Sequence, residues 1–279
     1  MYFIDLHIHT TASDGSLTPE EVVKESLRLG LGAISITDHD TVDGVAPAIE
    51  AAENSPLRVI PGVEISSVWH GREIHILGYN FDHENPFLIS TLNRMAQMRR
   101  ERNENICLKL QKLGLDITTD ELYRISGNST ITRNDISRLM ISKGYVKDKA
   151  EAFTYYLGSD APCFVPKFRM PAEDAYKLIT YAGGVCSLAH PVQYRMDDDQ
   201  YTELFMYLKA VGFRCIEVIH SDNGMHDENR FKQIASACGL LFTGGSDFHG
   251  RSKPDIHIGT GRGNIKVPGT FLYNIGLKE

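Results

Sequence analysis

Tyr2-Phe3-Ile4-Asp5-Leu6-His7-Ile8-His9, with Thr10-Thr11-Ala12-Ser13-Asp14-Gly15 behind it, is the stretch on which the fold turns. It is a short apolar run ending in two histidines one residue apart, the pattern of a buried strand. Side chains at i and i+2 of a strand leave the same face. His7 and His9 therefore aim at one point, a geometry suited to holding a metal ion through two imidazole nitrogens. Asp14 follows in the turn. A single His-x-His is better explained as a polar strand end with ordinary surface histidines. The weight comes from repetition along the chain.

Thr18-Pro19-Glu20-Glu21 reads as N-cap, first helical residue and capping box, opening a helix that runs to about Arg28 and stops at Gly30 or Gly32. Ala33-Ile34-Ser35-Ile36-Thr37 is a second strand, ending in Asp38-His39-Asp40. A helix over residues 42–52 leads to an extended stretch at 58–66, broken by Pro61-Gly62 and carrying Glu64. Residues 73–79 alternate polar and apolar and form a fourth strand with His75. Residues 86–165 look helical throughout, with Thr119 and Thr132 opening shorter helices and a basic run at 92–113 that reads as a solvated face, its charge broken up by Glu101 and Glu104. Helix and strand then alternate again: a helix at 171–181, a strand ending in His190, a helix at 200–211, a strand ending in His220, a helix at 229–238, and a strand ending in Ser246-Asp247-Phe248-His249. This predicts an α/β barrel made of residues 1–85 and 166–279, with residues 86–165 inserted as a helical cap over one end.

The 279 residues can bury a substantial core, and 42% hydrophobic with 23% charged residues is ordinary for a soluble globular protein. No apolar run is long enough for a bilayer, and no basic-then-apolar leader opens the chain, so a cytoplasmic protein is expected. Five scattered cysteines without a C-x-x-C pair fit reduced thiols and speak against a zinc ribbon. A formal charge of −7 argues against clamping a long nucleic-acid duplex.

Nearly every strand thus finishes in a metal-ligand residue type. In a parallel barrel the carboxyl ends of the strands open on one face. Six histidines (His7, His9, His39, His75, His190, His249) and three carboxylates (Asp14, Glu64, Asp247) are expected to converge there. One ion takes about four to six donors, so nine ligands imply two or three divalent ions. Imidazole and carboxylate without thiolate suit zinc, manganese or iron alike. Three dications against three carboxylates leave a positive centre, which favours a phosphate ester as substrate. His220, at a strand end beside Ser221-Asp222, is a candidate for touching substrate, and Asp38 and Asp40 for orienting His39.

His7-x-His9, Thr37-Asp38-His39-Asp40, Gly62-Val63-Glu64, His190-Pro191 and Gly245-Ser246-Asp247-Phe248-His249 resemble the motifs of the PHP (polymerase and histidinol phosphatase) family, over essentially the whole chain. The resemblance implies a distorted (β/α)7 TIM-like barrel with a trinuclear metal site, and implies that all nine residues are ligands. Asp14, His39, Glu64 and Asp247 are the members of that set expected to serve catalysis most directly. The opening residues and Gly259-Thr260-Gly261-Arg262-Gly263-Asn264 are similar to a branch that hydrolyses nucleoside 3′,5′-bisphosphates and trims short RNA 5′ ends. By that similarity Arg133 is expected to reach substrate phosphate, with Lys167 as a second cation. Asp135 stands where the branch typically has His, either repelling phosphate or capping a helix. The expected partner is a small phosphorylated substrate, a nucleotide or short RNA end, with no membrane. The alternatives are a phosphatase for histidinol phosphate or another monoester, a non-catalytic barrel scaffold, and amidohydrolase-type carbon–nitrogen hydrolysis, which enlists a strand-end lysine that this chain lacks.

Overall fold

The computed structural model describes residues 2–126 and 131–277. The chain forms two compact units, one of Met1–Leu92 with Arg169–Glu279 and one of Asn93–Phe168. In the first, strands β1 (Phe3–Ile8), β2 (Ala33–Ile36), β3 (Arg58–Trp69), β4 (Arg72–Tyr79), β5 (Met170–Pro171), β6 (Val185–Leu188), β7 (Cys215–His220), β8 (Leu241–Gly245) and β9 (Val267–Pro268) build a single sheet. Its order is β8-β7-β6-β4-β3-β2-β1-β9, with β5 beside β3. The sheet curls until β8 meets β1: the Asp247 N–H donates to the His7 carbonyl at 2.8 Å and the His9 N–H to the Phe248 carbonyl at 2.9 Å. The result is a nearly closed, TIM-like α/β barrel.

Helices α1 (Pro19–Arg28) and α2 (Val45–Ala51) cover one side of this sheet. Val22, Val23 and Ala48 pack there against Ile34, Ile36 and Leu57. The start of α1 follows the sequence closely. Glu21 takes the Thr18 N–H at 2.9 Å, Thr18 Oγ1 takes the Glu21 N–H at 3.3 Å, and Gly30 turns the chain away with φ +71°. α3 (Pro86–Lys112) crosses the division between the units. α4 (Thr119–Ser126), α5 (Arg133–Ser142) and α6 (Lys149–Ala152), extended by a π-helical turn at Phe153–Leu157, complete the second unit. That unit has its own core, including Ile106, Leu110, Leu122, Ile136 and Leu139. α7 (Ala172–Tyr181), α8 (Asp198–Val211) and α9 (Met225–Ala237) alternate with the later strands.

Two details differ from the sequence reading. Pro61-Gly62 does not interrupt β3, which runs on for 12 residues and turns back through His70 (φ +48°) and Gly71 (φ +78°) into β4. β4 is therefore antiparallel to both β3 and β6, inside an otherwise largely parallel barrel. His75 accordingly sits in the first half of its strand. Because that strand is reversed, its start lies at the barrel end where the parallel strands finish, and His75, paired with Ser66, shares a face with Glu64. Secondly, the basic run of α3 is not simply a solvated face. Arg102 is buried and donates to the Val165 carbonyl at 3.0 Å, and Lys109 donates to the Phe164 carbonyl at 2.8 Å, so both anchor the end of the second unit. All five cysteines are buried and unpaired, and no helix among the described residues is long and apolar enough to cross a membrane.

Closure of the barrel leaves no space at Gly245. A Cβ built there would lie 2.4 Å from both the Cβ and the backbone nitrogen of His7. Gly245→Ala is expected to push β1 and β8 apart and to cost about 1–3 kcal/mol in urea unfolding. An unchanged unfolding midpoint would show that the two strands are not held this tightly.

Candidate metal centre

Glu64 lies fully buried at the middle of the strand-end face, reached by five histidines from four segments. Its Oε1 is 2.8 Å from His75 Nδ1 and 2.9 Å from His190 Nε2. Its Oε2 is 3.1 Å from His9 Nε2, 3.1 Å from His39 Nδ1 and 3.3 Å from His7 Nε2. Asp247 Oδ1 lies 3.4 Å from His9 Nε2, 3.4 Å from His249 Nδ1 and 3.5 Å from His7 Nε2. Asp14 closes the other flank, 3.4 Å from both His9 Nδ1 and His249 Nε2. All nine residues singled out in the sequence thus meet in one place. Three overlapping groups have ligand atoms within 4.8 Å of one another: His9, Asp14, His39 and His249; His7, His9 and Glu64; and His39, Glu64 and His75. His190 and Asp247 stand just outside those groups while touching their members.

The residues fit a cluster of divalent cations on their own chemistry. His7 Nε2, both nitrogens of His9, His39 Nδ1, His190 Nδ1 and Glu64 Oε2 are buried and have no hydrogen-bond partner. Polar atoms out of reach of water normally find one, and leaving them without costs stability. So many orphans facing each other form a set of donors in search of cations. Charge tells the same story. Burial pushes the carboxyls of Asp14, Glu64 and Asp247 up, yet the surrounding imidazoles bring all three well below the usual carboxylate range. Burial pulls His9 down, but the facing carboxylates of Asp247, Glu64 and Asp14 lift it to about 9. His7 is likewise raised, by Glu217, Glu64 and Asp247 against its burial. His39 goes the other way, pressed by burial to about 3. The site prefers positive charge among its carboxylates and cannot charge every ring at once.

The polypeptide around the centre is held by buried carboxylates that the sequence reading largely passed over. Asp38, whose orienting role it did entertain, accepts from the Thr10 N–H (2.7 Å), Thr10 Oγ1 (2.7 Å) and Ser13 Oγ (2.5 Å), fixing the loop that carries Asp14. Asp40 accepts the Ser66 N–H at 2.7 Å. Asp5 was missed: it accepts from the N–H groups of His7, Ser246 and Gly259, tying β1 to the segment after β8. Glu217 was missed too, although polar residues inside an apolar strand are a usable signal.

The three substrate candidates fall in different surroundings. His220 is fully buried, with Nε2 3.4 Å from Asp247 Oδ2. Its Nδ1 accepts the Asp222 N–H at 3.0 Å, so the neutral ring carries its proton on Nε2 and offers a donor rather than a metal ligand. Arg133 belongs to the second unit. Its guanidinium lies 5.5 Å from the centroids of both Phe153 and Phe164, and Nη1 donates to the Leu157 carbonyl at 2.9 Å. Lys167 is half-buried in that unit. Asp135 caps α5, taking the Thr132 N–H at 2.7 Å. A lysine the sequence reading did not count, Lys253, places Nζ 2.6 Å from Asp247 Oδ2. Burial pulls it down, but Asp247 raises it further, so it stays an ammonium.

Comparison with known proteins bears on this centre. A family model described as "PHP domain" matches residues 5–225. The chain is 33% identical over 257 residues to the 5′-3′ exoribonuclease Rnm of Escherichia coli, covering 91% of this chain and 87% of that protein. It is 32% identical over 257 residues to the 3′,5′-nucleoside bisphosphate phosphatase of Chromobacterium violaceum, covering 92% and 90% respectively. Among solved structures it is similar to an amidohydrolase from Chromobacterium violaceum with bound sulfate and no metal, at a TM-score of 0.77 and 31% identity over 99% of this chain and 90% of that one.

One prediction follows from the charges. His9 is raised in the folded state from 6.5 to about 9, so its pairing with Asp247 and Glu64 contributes full stability below pH 6.5. That contribution is lost as pH rises through about 9. Chelator-treated protein should therefore show a falling urea midpoint between pH 6.5 and 9.5, and a His9→Asn variant a flatter profile. Identical slopes for the two proteins would contradict the charge arrangement.

Proposed function

The chain belongs to the PHP domain family and is a metal-dependent phosphoesterase, and we propose that it hydrolyses a small nucleotide phosphate ester, such as a nucleoside 3′,5′-bisphosphate or the 5′ end of a short RNA. The observation that carries this reading is the ring of buried, unpartnered nitrogens around Glu64. His7, His9, Asp14, His39, Glu64, His75, His190, Asp247 and His249 would hold two or three divalent ions, of manganese, zinc or iron. Such ions supply Lewis acidity toward phosphate oxygens and lower the pKa of water. The relatives bearing names of nucleotide and RNA-end chemistry support the substrate class.

The chain's own residues then do the rest. The imidazoles and carboxylates keep the reacting region rigid, because each strand end is fixed by sheet hydrogen bonds and by the buried carboxylates behind it. Lys253 adds a fixed positive charge beside Asp247, and the Nε2–H of His220 is the donor proposed to meet a substrate oxygen. Arg133 and Lys167 are proposed to bind substrate phosphate on the family resemblance.

The test is phosphate release by manganese-loaded protein from adenosine 3′,5′-bisphosphate, AMP, histidinol phosphate and a short 5′-phosphorylated RNA, with a chelator control. Chelator-sensitive release from the bisphosphate or the RNA, well above the two monoesters, is expected. Turnover confined to the monoesters would move the substrate class, and no release from metal-loaded protein would refute the reading. Glu64→Gln should lower kcat on the order of 100-fold or more while the protein remains folded. Arg133→Ala should raise KM for the bisphosphate roughly tenfold, the effect of losing one charge-assisted phosphate contact; an unchanged KM would remove Arg133 from the substrate site.

A further inference from the structure

We infer that Glu217 is a positioning residue of the metal centre, which fixes the tautomer of one ligand histidine and the backbone of another with its two carboxylate oxygens. The inference rests on the metal-centre reading above. Glu217 and its partner His7 are fully buried. Oε1 of Glu217 lies 2.9 Å from His7 Nδ1, and Oε2 accepts the backbone N–H of His190 at 2.7 Å. The two histidines come from different places, β1 and the turn after β6, and Glu217 is the third corner, on β7.

Each half of the contact has a chemical consequence. A carboxylate on Nδ1 keeps the His7 proton there, which leaves the Nε2 lone pair facing inward. Nε2 is the nitrogen 3.3 Å from Glu64 Oε2 and 3.5 Å from Asp247 Oδ1, and it has no hydrogen-bond partner. His190 has φ +25° and ψ 60°, a left-handed backbone that a side chain rarely adopts without outside support. Glu217 holds the N–H of that residue while His190 Nε2 reaches Glu64 Oε1 at 2.9 Å.

The strand is shaped to allow this. Along β7, Glu217 pairs with Thr243 and Ile219 with Gly244, so one extra residue, Val218, is inserted opposite β8. In a regular strand residues 217 and 220 would face opposite sides. The bulge turns both Glu217 and His220 toward the centre, a known use of bulges for aiming side chains beside a site.

The contact needs two acceptors, because both partners donate an N–H. Glu217→Gln has nearly the same shape but one acceptor oxygen and one NH2 group. It can serve His7 or His190, not both. The test has two parts. First, nitrogen-15 NMR of zinc-loaded native protein should show His7 protonated at Nδ1 and bound through Nε2; a proton on Nε2 would overturn the inference without any variant. Second, zinc affinity by chelator competition should fall 10–100-fold in Glu217→Gln, the range for losing a carboxylate behind a metal-bound histidine. Unchanged affinity would overturn the inference, even if the metal-free variant unfolds more easily, since that combination marks a purely structural carboxylate. Native protein that binds no zinc would instead refute the metal-centre reading on which this one stands.

Discussion

Five histidines leaning on one buried carboxylate, Glu64, are the constraint on which the rest of this molecule depends. Both oxygens of Glu64 are engaged within 3.3 Å, by rings arriving from β1, from the ends of β2 and β6, and from the reversed strand β4. To bring them there the sheet must close, and closure requires a residue without a side chain where β8 crosses His7. The bulge in β7 and the irregular register of β1 are adjustments to the same demand. Behind the rings, Asp5, Asp38 and Glu217 hold backbone N–H groups or ring nitrogens in place. The centre is thus two concentric sets of buried acids, one facing inward and one gripping the chain.

Such a concentration of ionisable groups is costly in an apolar barrel. A buried ion without a partner destabilises a fold by several kcal/mol. The imidazoles and carboxylates offset one another only in part, which is why His9 rises while His39 falls. Divalent cations would resolve this conflict, since they accept imidazole lone pairs and need no protons on the rings. Lys253 contributes a further positive charge from the loop after β8. Divalent cations gathered at such a centre attract an anionic ester, in keeping with phosphoesterase chemistry.

Much of this was legible in the sequence, and the failures have physical causes. The strand ends were visible because His7, His9, His39, His190, Asp247 and His249 each follow a short apolar run, and the period of two fixes which side chains share a face. The reversal of β4 was hidden, since alternation along 73–79 is the same in either strand direction. Only the His70-Gly71 turn between two contiguous strands marks it, and Pro61-Gly62 drew attention as the break instead. Asp5 and Glu217 are hidden because they lie inside strands, and most of their partners are far away in the chain. Lys253 is hidden because it lies beyond the strand end: a lysine six residues past Asp247 reaches back only once the loop folds. The capping role of Asp135 was foreseen as one of two options, since Thr132-x-x-Asp135 has the spacing of a capping box.

The measurement that tests the central claim most directly is anomalous diffraction from crystals soaked in manganese. The account predicts two or three anomalous peaks clustered around Glu64, each within bonding distance of side chains drawn from the nine residues. A single peak, or peaks only elsewhere on the protein, would contradict it.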